Sequence, residues 1–437
     1  MLEVLGLVVT ISFPLYYYAT LYFDFWSKRG VKGPKKTSLA GVYTKAYNDF
    51  KDEPMVRLFA GYKDFSKFAD RTSPPMETDE PLSQSFFRLD ANQWRPLRTK
   101  LSPVFTYGKL KEMFHLLLDC SNYFGKYLES LVAKGEPIEC REVTSKFTID
   151  AIGACIFGIE MKAMSSKNRQ YRVMGRKDLE TNWQSFVKDR FRHHPFLFTF
   201  IGPFVVDKNV TDFFNNVHKP DFIDALTNLK LHPEKIELNG KDSLGHHALY
   251  VLAVNPEIQD KVRDVIKSAL ETTNGVITYE SLNEMKYLHA FLDETLRKYP
   301  VLLFLERRAV TNYTFSGTKV SIPKGQHVYL PLYAIHRDPD IYPNPEVFDL
   351  DRFTDEAAKT RHPMAYLPFG DGPRNCIGTR FATIHLKMGF IGILTKLKVD
   401  VSEKTYEEYV VDDITLFLLQ LNHGIYVKLT KLEETIY

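Results

Sequence analysis

Residues 368–378 read PFGDGPRNCIG and place one cysteine, Cys376, within a run of glycine, proline and arginine. Apolar residues at helical spacing follow directly, which predicts a helix after the cysteine. A thiol at a helix N-terminus meets the positive end of the helix dipole and nearby backbone N–H groups, which favour its thiolate form. One interpretation is a surface turn with a buried cysteine that acts as a small hydrophobic residue. We favour the other, a loop that presents a thiolate to a bound group.

The other residues of this loop fit a bound ligand. Gly370, Gly372 and Gly378 let the backbone come close to a flat molecule, because glycine has no Cβ and tolerates unusual backbone angles. Phe369 can pack beside the sulfur, and Arg374 can pair with an anionic group of the ligand. The loop therefore predicts a site for a flat, negatively charged molecule.

Composition sets limits on the other classes of function. The 437 residues are 44% hydrophobic and 14% aromatic, enough for a large core and unlike a disordered chain. The net charge is +3 and the Lys and Arg residues are scattered, which argues against nucleic acid as the partner. The four cysteines show neither a CxxC motif nor the cysteine–histidine spacing of a zinc site, so we expect reduced thiols in the cytosol.

The N-terminus predicts a membrane anchor. Residues 4–23 read VLGLVVTISFPLYYYATLYF and contain no charge, a length that matches the apolar core of a bilayer. Lys and Arg follow in residues 27–36, so the positive-inside rule places the rest of the chain in the cytosol. We therefore expect an uncleaved anchor over residues 1–26 and a basic linker over residues 27–36. The alternative is a buried helix, because Pro14 interrupts the apolar run.

Residues 37–437 are predicted to form one domain that is mainly α-helical with small antiparallel β-sheets. The segments YGKLKEMFHLLLDCSNYFGKYLESLV and NPEIQDKVRDVIKSAL have apolar residues at helical spacing. The segments GTKVSIPKGQHVYLPL and HGIYVKL alternate apolar and polar residues, which favours short strands.

Two further motifs accompany the cysteine loop. Glu294 and Arg297 stand three residues apart on one predicted helix, and Arg352 lies in the segment DRF between that helix and the loop. Each of these two motifs is common in proteins when it occurs alone. Together with the complete pattern F-x-x-G-x-R-x-C-x-G, however, they resemble the cytochrome P-450 superfamily of haem-thiolate monooxygenases. The sequences of the segments DFSKFADR, NPEIQDKV and ETLRKYP are most similar to those of its insect microsomal, detoxification-type branch.

The resemblance assigns roles to particular residues. Cys376 would be the axial ligand of the haem iron, and Glu294, Arg297 and Arg352 would form a buried ion-pair network that supports its loop. Residues 37–437 would be the haem-binding catalytic domain. The haem-binding residues implied by the resemblance are Trp94, Arg98, Arg307, Phe369, Gly370, Arg374, Cys376 and Gly378. Arg308 competes with Arg307 for its role, and His336 is a further candidate on the propionate side.

The resemblance also implies an activity and a location. The enzyme would insert one oxygen atom from O2 into a small lipophilic substrate, a xenobiotic or an endogenous lipid or hormone. Electrons would come from NADPH through NADPH–cytochrome P-450 reductase, with cytochrome b5 as a further partner. The location would be the cytosolic face of the endoplasmic reticulum membrane. A nucleotide enzyme is not indicated, because the chain has no glycine-rich phosphate loop.

One departure from the family pattern concerns the distal side of the haem. Members carry there a long helix with a motif similar to [AG]-G-x-[DE]-T, which this chain lacks. At most residues 244–254 are predicted to be helical in that region, a rise of about 15 Å, too short to cross a haem. His246 and His247 are expected to lie in a linker. The fold would thus lack its central distal helix, and the alternative function is an inactive or haem-binding-only truncated isoform.

Overall fold

The computed structural model describes residues 68–70, 86, 89–156, 158, 160–165, 243–314, 321–406, 419 and 424–433. The predicted anchor and basic linker, residues 1–36, lie outside this part of the chain. In the described part, no helix combines the length and the apolar character that crossing a membrane requires.

The described residues confirm a mainly helical fold with small antiparallel sheets. The α-helices are α1 (Ala91–Leu101), α2 (Tyr107–Glu112), α3 (Phe114–Val132), α4 (Cys140–Ile156), α5 (Ser243–Val254), α6 (Pro256–Thr272), α7 (Tyr279–Glu284), α8 (Lys286–Lys298), α9 (Leu332–Ile335), α10 (Asp355–Thr360) and α11 (Thr379–Leu394). The 3₁₀-helices are Ser102–Phe105, Leu350–Phe353 and Pro363–Ala365. The strands are β1 (Ile138–Glu139), β2 (Leu305–Arg308), β3 (Tyr313–Thr314), β4 (Ser321–Ile322), β5 (His327–Leu330), β6 (Leu397–Asp400) and β7 (Tyr426–Lys431).

The strands within the described ranges form three small antiparallel sheets, with the orders β1–β7–β6, β2–β5 and β3–β4. The antiparallel pair of β2 and β5 places Arg307 opposite Val328. Both segments that alternate in the sequence contribute strands, as predicted. These sheets are too small to form a core of their own, so the helices supply most of it.

The helical segments read from the sequence are also confirmed, with one change. The first is divided into α2 and α3, because Met113 ends one helix and begins the next. Its predicted apolar face turns inward, with Leu110, Phe114 and Leu117 all buried. The second predicted segment is α6, where Pro256 occupies the first turn.

The helix α11 lies at the centre of the core and packs closely against α3. The Ser121 hydroxyl of α3 donates a hydrogen bond of 2.6 Å to the carbonyl oxygen of Met388 in α11. A Cβ atom on Gly392 would lie only 2.9 Å from the carbonyl oxygen of Ser121, so the two backbones approach at this point because position 392 is glycine. Since α11 begins just after Cys376, this packing anchors the C-terminal end of the cysteine loop.

The expectation that His246 and His247 lie in a linker is wrong. Both belong to α5, where His246 is 6% exposed and His247 is fully buried. The His247 ring stacks on Tyr299, the residue that follows α8, with the ring centroids 5.4 Å apart. Adjacent helical residues point in different directions, but α5 is apolar around its circumference and is enclosed on several sides, so both positions are buried.

Candidate functional site

Cys376 lies half-buried at the N-terminal end of α11. Its backbone N–H donates a hydrogen bond of 2.9 Å to the carbonyl oxygen of Phe369, which closes the loop. Its own carbonyl oxygen accepts a hydrogen bond of 3.0 Å from the hydroxyl of Thr379, the first residue of α11. The loop and the helix therefore hold the cysteine from both sides, and the helix that the sequence predicts after Cys376 is present.

Two glycines allow the loop to turn. Gly370 has φ of 67° and Gly372 has φ of 73°, values in the left-handed region that favours glycine. Their turns are closed by backbone hydrogen bonds, from Gly370 N–H to the Leu367 carbonyl and from Asn375 N–H to the Gly372 carbonyl. Replacing either glycine would strain the path of the backbone to Cys376.

Arg374 is directed away from solvent. Its guanidinium donates to the backbone carbonyl oxygens of Ala69 and Leu89 and lies 4.2 Å from the centre of the Trp94 ring. Burial lowers the pKa of Arg374 to about 10, which the nearby carboxylate of Asp70 opposes. Arg374 thus joins the loop to the residues around α1.

Arg98 lies on the same side of the loop. It donates one hydrogen bond of 2.8 Å to the carbonyl oxygen of Asn375 and a second, also 2.8 Å, to the Asn375 side-chain oxygen. Burial lowers the pKa of Arg98, whereas the charge of Cys376 raises it. Arg98 is thus bound to the residue that directly precedes Cys376.

The antiparallel pair of β2 and β5 brings Arg307 to the loop. A Cβ atom on Gly370 would lie 3.8 Å from Nη2 of Arg307, whose Nη1 donates to the carbonyl oxygen of Glu306 at 2.8 Å. Arg308, the competing residue, instead forms an ion pair of 2.7 Å with Asp70. Of the two arginines, Arg307 is the one placed next to the loop.

One cluster of charged side chains is formed by Glu294, Arg297 and Arg352. Nε and Nη2 of Arg297 donate to the two carboxylate oxygens of Glu294 at 2.6 and 2.8 Å, and both side chains are fully buried. Nε of Arg352 lies 3.6 Å from Glu294. Burial raises the pKa of Glu294, which Arg297 opposes. The ion-pair network suggested by the sequence is thus present and shielded from water.

Sequence reasoning did not find two of the contacts around the loop. Asn375, which accepts both hydrogen bonds of Arg98, is marked in the sequence only by its position next to Cys376. His336, suggested as a propionate-side residue, is instead fully buried with its Nε2 accepting a hydrogen bond of 3.0 Å from the N–H of Leu367. The partner of His336 is therefore the backbone just before the loop, and no sequence pattern indicates that contact.

The residues of the site fit an iron porphyrin. The half-buried thiol of Cys376 is a soft ligand suited to iron, and the guanidinium groups of Arg98, Arg307 and Arg374 suit the carboxylates of a porphyrin. A Cβ atom on Gly370 would come into contact with Leu305 and Arg307, so glycine leaves space beside the loop at this position. Donor set and backbone shape both agree with a flat, anionic, iron-containing group.

Comparison with known proteins identifies the family. The cytochrome P-450 family model matches residues 55–237 and 246–427, which is most of the chain. The chain belongs to the cytochrome P-450 family. Among its curated relatives, cytochrome P-450 6B1 of Papilio polyxenes is 32% identical over 508 positions, covering 99% of this chain and 100% of the relative. Cytochrome P-450 6a2 of Drosophila melanogaster is 32% identical, covering 93% of this chain and 95% of the relative, and cytochrome P-450 6k1 of Blattella germanica is 30% identical, covering 91% of each.

Membership of the cytochrome P-450 family makes the chain a haem-thiolate monooxygenase by class, with haem as the cofactor and a redox partner as the usual source of electrons. Two features of the match concern residues that this chain lacks relative to its family, the first of them in the centre of the chain. The match to the family model is interrupted at residues 238–245, just where α5 begins. The alignment with the Papilio relative has 508 positions and this chain has 437 residues, so at least 71 positions lack a residue here.

Proposed function

We propose that this cytochrome P-450 inserts one oxygen atom from O2 into small lipophilic substrates, with Cys376 as the axial ligand of the haem iron. The observation that carries the proposal is the half-buried thiol at the head of α11, held by the hydrogen bond from its N–H to the Phe369 carbonyl. Haem supplies the oxidising chemistry when bound, and a thiolate ligand increases electron density on the iron and favours O–O cleavage.

The other loop contacts have proposed roles as well. Trp94 and the guanidinium groups of Arg98, Arg307 and Arg374 would bind the haem propionates, an assignment supported by their convergence on the loop. Phe369, Gly370 and Gly378 would contact the porphyrin from the cysteine side. The buried Glu294–Arg297 pair with Arg352 would fix the segment below the loop and so keep the sulfur in place.

The electron source and the location follow from the sequence and the family. We propose that NADPH–cytochrome P-450 reductase delivers the electrons, with cytochrome b5 as a second donor. Residues 1–26 would anchor the chain in the endoplasmic reticulum membrane, with the catalytic domain on the cytosolic face. The uncharged run of residues 4–23 supports the anchor, and a fusion of residues 1–36 to a fluorescent protein tests it by its localisation.

The test of the proposal compares two cysteines. Cys120 in α3 is half-buried like Cys376, but burial raises its pKa to about 11 and keeps its thiol protonated. We expect Cys376→Ala to abolish haem retention and the red-shifted Soret band of the ferrous carbonyl complex, while Cys120→Ala keeps both. Product formation from a lipophilic substrate with reductase and NADPH completes the test. An unchanged spectrum in Cys376→Ala would refute Cys376 as the ligand.

A second candidate function is a truncated form that binds haem without turnover. The described part of α5 has 12 residues and rises about 18 Å, and no motif similar to [AG]-G-x-[DE]-T occurs before it in the sequence. The interruption of the family match at residues 238–245 supports a loss at this place. Full haem occupancy with no product in the presence of reductase and NADPH would favour this function, and product formation would exclude it. The transcript across residues 241–252 tests whether a coding segment has been lost.

A further inference from the structure

His336 lies between the buried ion pair and the cysteine loop. Its carbonyl oxygen accepts a hydrogen bond of 2.9 Å from Nη1 of Arg297, the same guanidinium that binds Glu294. Its ring Nε2 accepts a hydrogen bond of 3.0 Å from the backbone N–H of Leu367. One residue therefore contacts the ion pair through its backbone and the start of the loop through its side chain.

Hydrogen bonds continue from Leu367 to the cysteine. The carbonyl oxygen of Leu367 accepts from the N–H of Gly370 at 2.9 Å, and the carbonyl oxygen of Phe369 accepts from the N–H of Cys376 at 2.9 Å. A shift of the Leu367 amide would consequently move the turn that determines where the Phe369 carbonyl points. Hydrogen bonds thus run from the His336 ring through Leu367 and the turn at Gly370 to the backbone of Cys376.

The protonation state of the His336 ring allows its Nε2 to accept a hydrogen bond. The residue is fully buried, and burial, followed by the nearby charges of Arg297 and Arg337, lowers its pKa to about 3. The ring is therefore neutral at physiological pH, with its proton on Nδ1, because Nε2 accepts the N–H of Leu367. The Tyr366 ring stacks on it with the centroids 5.5 Å apart and fixes the plane in which Nε2 points.

We propose that His336 is a positioning residue for the axial thiolate: its neutral Nε2 holds the Leu367 amide and so transmits the fixed geometry of the Glu294–Arg297 pair to the Cys376 loop. The proposal rests on the proposed function only in that Cys376 is the iron ligand. It gives His336 a role on the cysteine side that is separate from any contact with haem propionates.

Two substitutions and one matched control test the proposal in the full-length protein. His336→Phe keeps an aromatic ring against Tyr366 but removes the acceptor, whereas His336→Gln retains an acceptor oxygen on a flexible side chain. His385 of α11 is the control, because it is also buried, with its ring stacked between Phe147 and Phe381. His385→Phe therefore changes a buried histidine of the core without touching Leu367.

The first readout is backbone amide hydrogen exchange of Leu367 and Cys376 in the full-length protein as purified. Loss of one hydrogen bond is expected to speed exchange at Leu367 about tenfold in His336→Phe, with partial recovery in His336→Gln and no change in His385→Phe. The second readout is the fraction of ferrous carbonyl complex with the red-shifted Soret band, which should fall in His336→Phe and stay at the wild-type value in His385→Phe. If His336 acted only by filling space in the core, this fraction would fall equally in His336→Phe and His385→Phe.

The two readouts separate this proposal from the proposed function. If the wild-type chain takes up no haem, the proposed function fails, and exchange at Leu367 still decides the role of His336. Wild-type exchange at Leu367 in His336→Phe overturns the proposal, and so does an equal loss of the thiolate spectrum in His336→Phe and His385→Phe. If His336→Phe does not fold, the same comparison is made with His336→Gln, in which exchange at Leu367 should be faster than in the wild type but by less than tenfold. Wild-type exchange at Leu367 in His336→Gln would then overturn the proposal.

Discussion

Arg98 donates two hydrogen bonds of 2.8 Å to Asn375, one to its carbonyl oxygen and one to its side-chain oxygen. The two residues are 277 positions apart in the chain, and the contact joins α1 to the residue before Cys376. A guanidinium presents its donors in a rigid plane, so it can bind two oxygens of one residue at once. The contact therefore binds a guanidinium to the loop at the residue that precedes the cysteine.

Because Arg98 makes two hydrogen bonds, a positive charge at position 98 is not enough by itself to retain the haem. We expect Arg98→Lys to keep the charge but lose one of the two hydrogen bonds, so that haem dissociates about tenfold faster than from the wild type. Asn375→Ala removes only the side-chain oxygen and should have a smaller effect. The dissociation rate is measured by transfer of haem to a scavenging protein. Arg95→Lys, an exposed position of the same helix, is the control, and a wild-type rate in Arg98→Lys would contradict the prediction.

The cysteine loop shows what sequence alone can reveal. Its glycines, its cysteine and the helix after it form one continuous segment, so local backbone rules and helical spacing were enough to predict them. The roles of Arg98 and Arg307 came from a resemblance, since nothing local indicates which distant arginine reaches the loop. The contact of Arg98 with Asn375 was missed for the same reason.

The histidines show where local reasoning fails. His246 and His247 were expected in a linker because two adjacent polar residues do not share a helix face. In the structure α5 is enclosed on several sides, so both are buried, a consequence of neighbours that are distant in sequence. His336 is similar: its sequence context suggested a ligand contact, whereas its position between Arg297 and Leu367 depends on the packing of α8 against the segment before the loop.

The buried pair of Glu294 and Arg297 predicts a large cost for removing one partner. Arg297→Leu leaves the buried Glu294 carboxylate without its two-point partner and with only Arg352, at 3.6 Å, as a neighbouring cation, and we expect the free energy of unfolding to fall by about 3–5 kcal/mol. The double variant Glu294→Leu/Arg297→Leu should lose less than the sum of the two single variants, because no unpaired charge remains. Chemical denaturation measures each value.

The control for that experiment is the exposed pair of Lys109 and Glu112. It has the same i,i+3 spacing and the same shortest distance, 2.6 Å, but its side chains are 58% and 63% exposed. Lys109→Ala is expected to change the free energy of unfolding by no more than about 1 kcal/mol. Equal losses at the buried and exposed sites would show that burial does not determine the cost.

The contact of α3 with α11 predicts that Gly392 cannot carry a side chain without cost. A Cβ atom there would lie 2.7 Å from Oγ and 2.9 Å from the carbonyl oxygen of Ser121, and backbone atoms cannot move aside easily. We expect Gly392→Ala to lower the free energy of unfolding by about 1–3 kcal/mol. Gly108 in α2 has no atom within 4 Å of the same position, so Gly108→Ala should leave stability unchanged or raise it by about 0.5–1 kcal/mol. Thermal or chemical unfolding of both variants checks the sign.

Two buried histidines make stability depend on pH. Burial lowers the pKa of His336 to about 3 and that of His385 to about 4, from an ordinary value of 6.5. Between these values and pH 6.5 the unfolded chain binds protons that the folded chain does not. The stabilisation from their neutral burial is therefore complete above pH 6.5 and is lost as the pH falls toward the folded-state values.

Removing one of these histidines isolates its share of the pH dependence. We expect the wild type to lose about 2 kcal/mol more than His385→Phe between pH 7 and pH 5, because only the wild type must protonate residue 385 on unfolding. Carboxyl groups such as Asp293, whose pKa burial raises, contribute equally to both proteins and cancel in the difference. Urea unfolding at each pH gives the two free energies. Parallel curves for the two proteins would mean that His385 is protonated in the folded state, against its burial between Phe147 and Phe381.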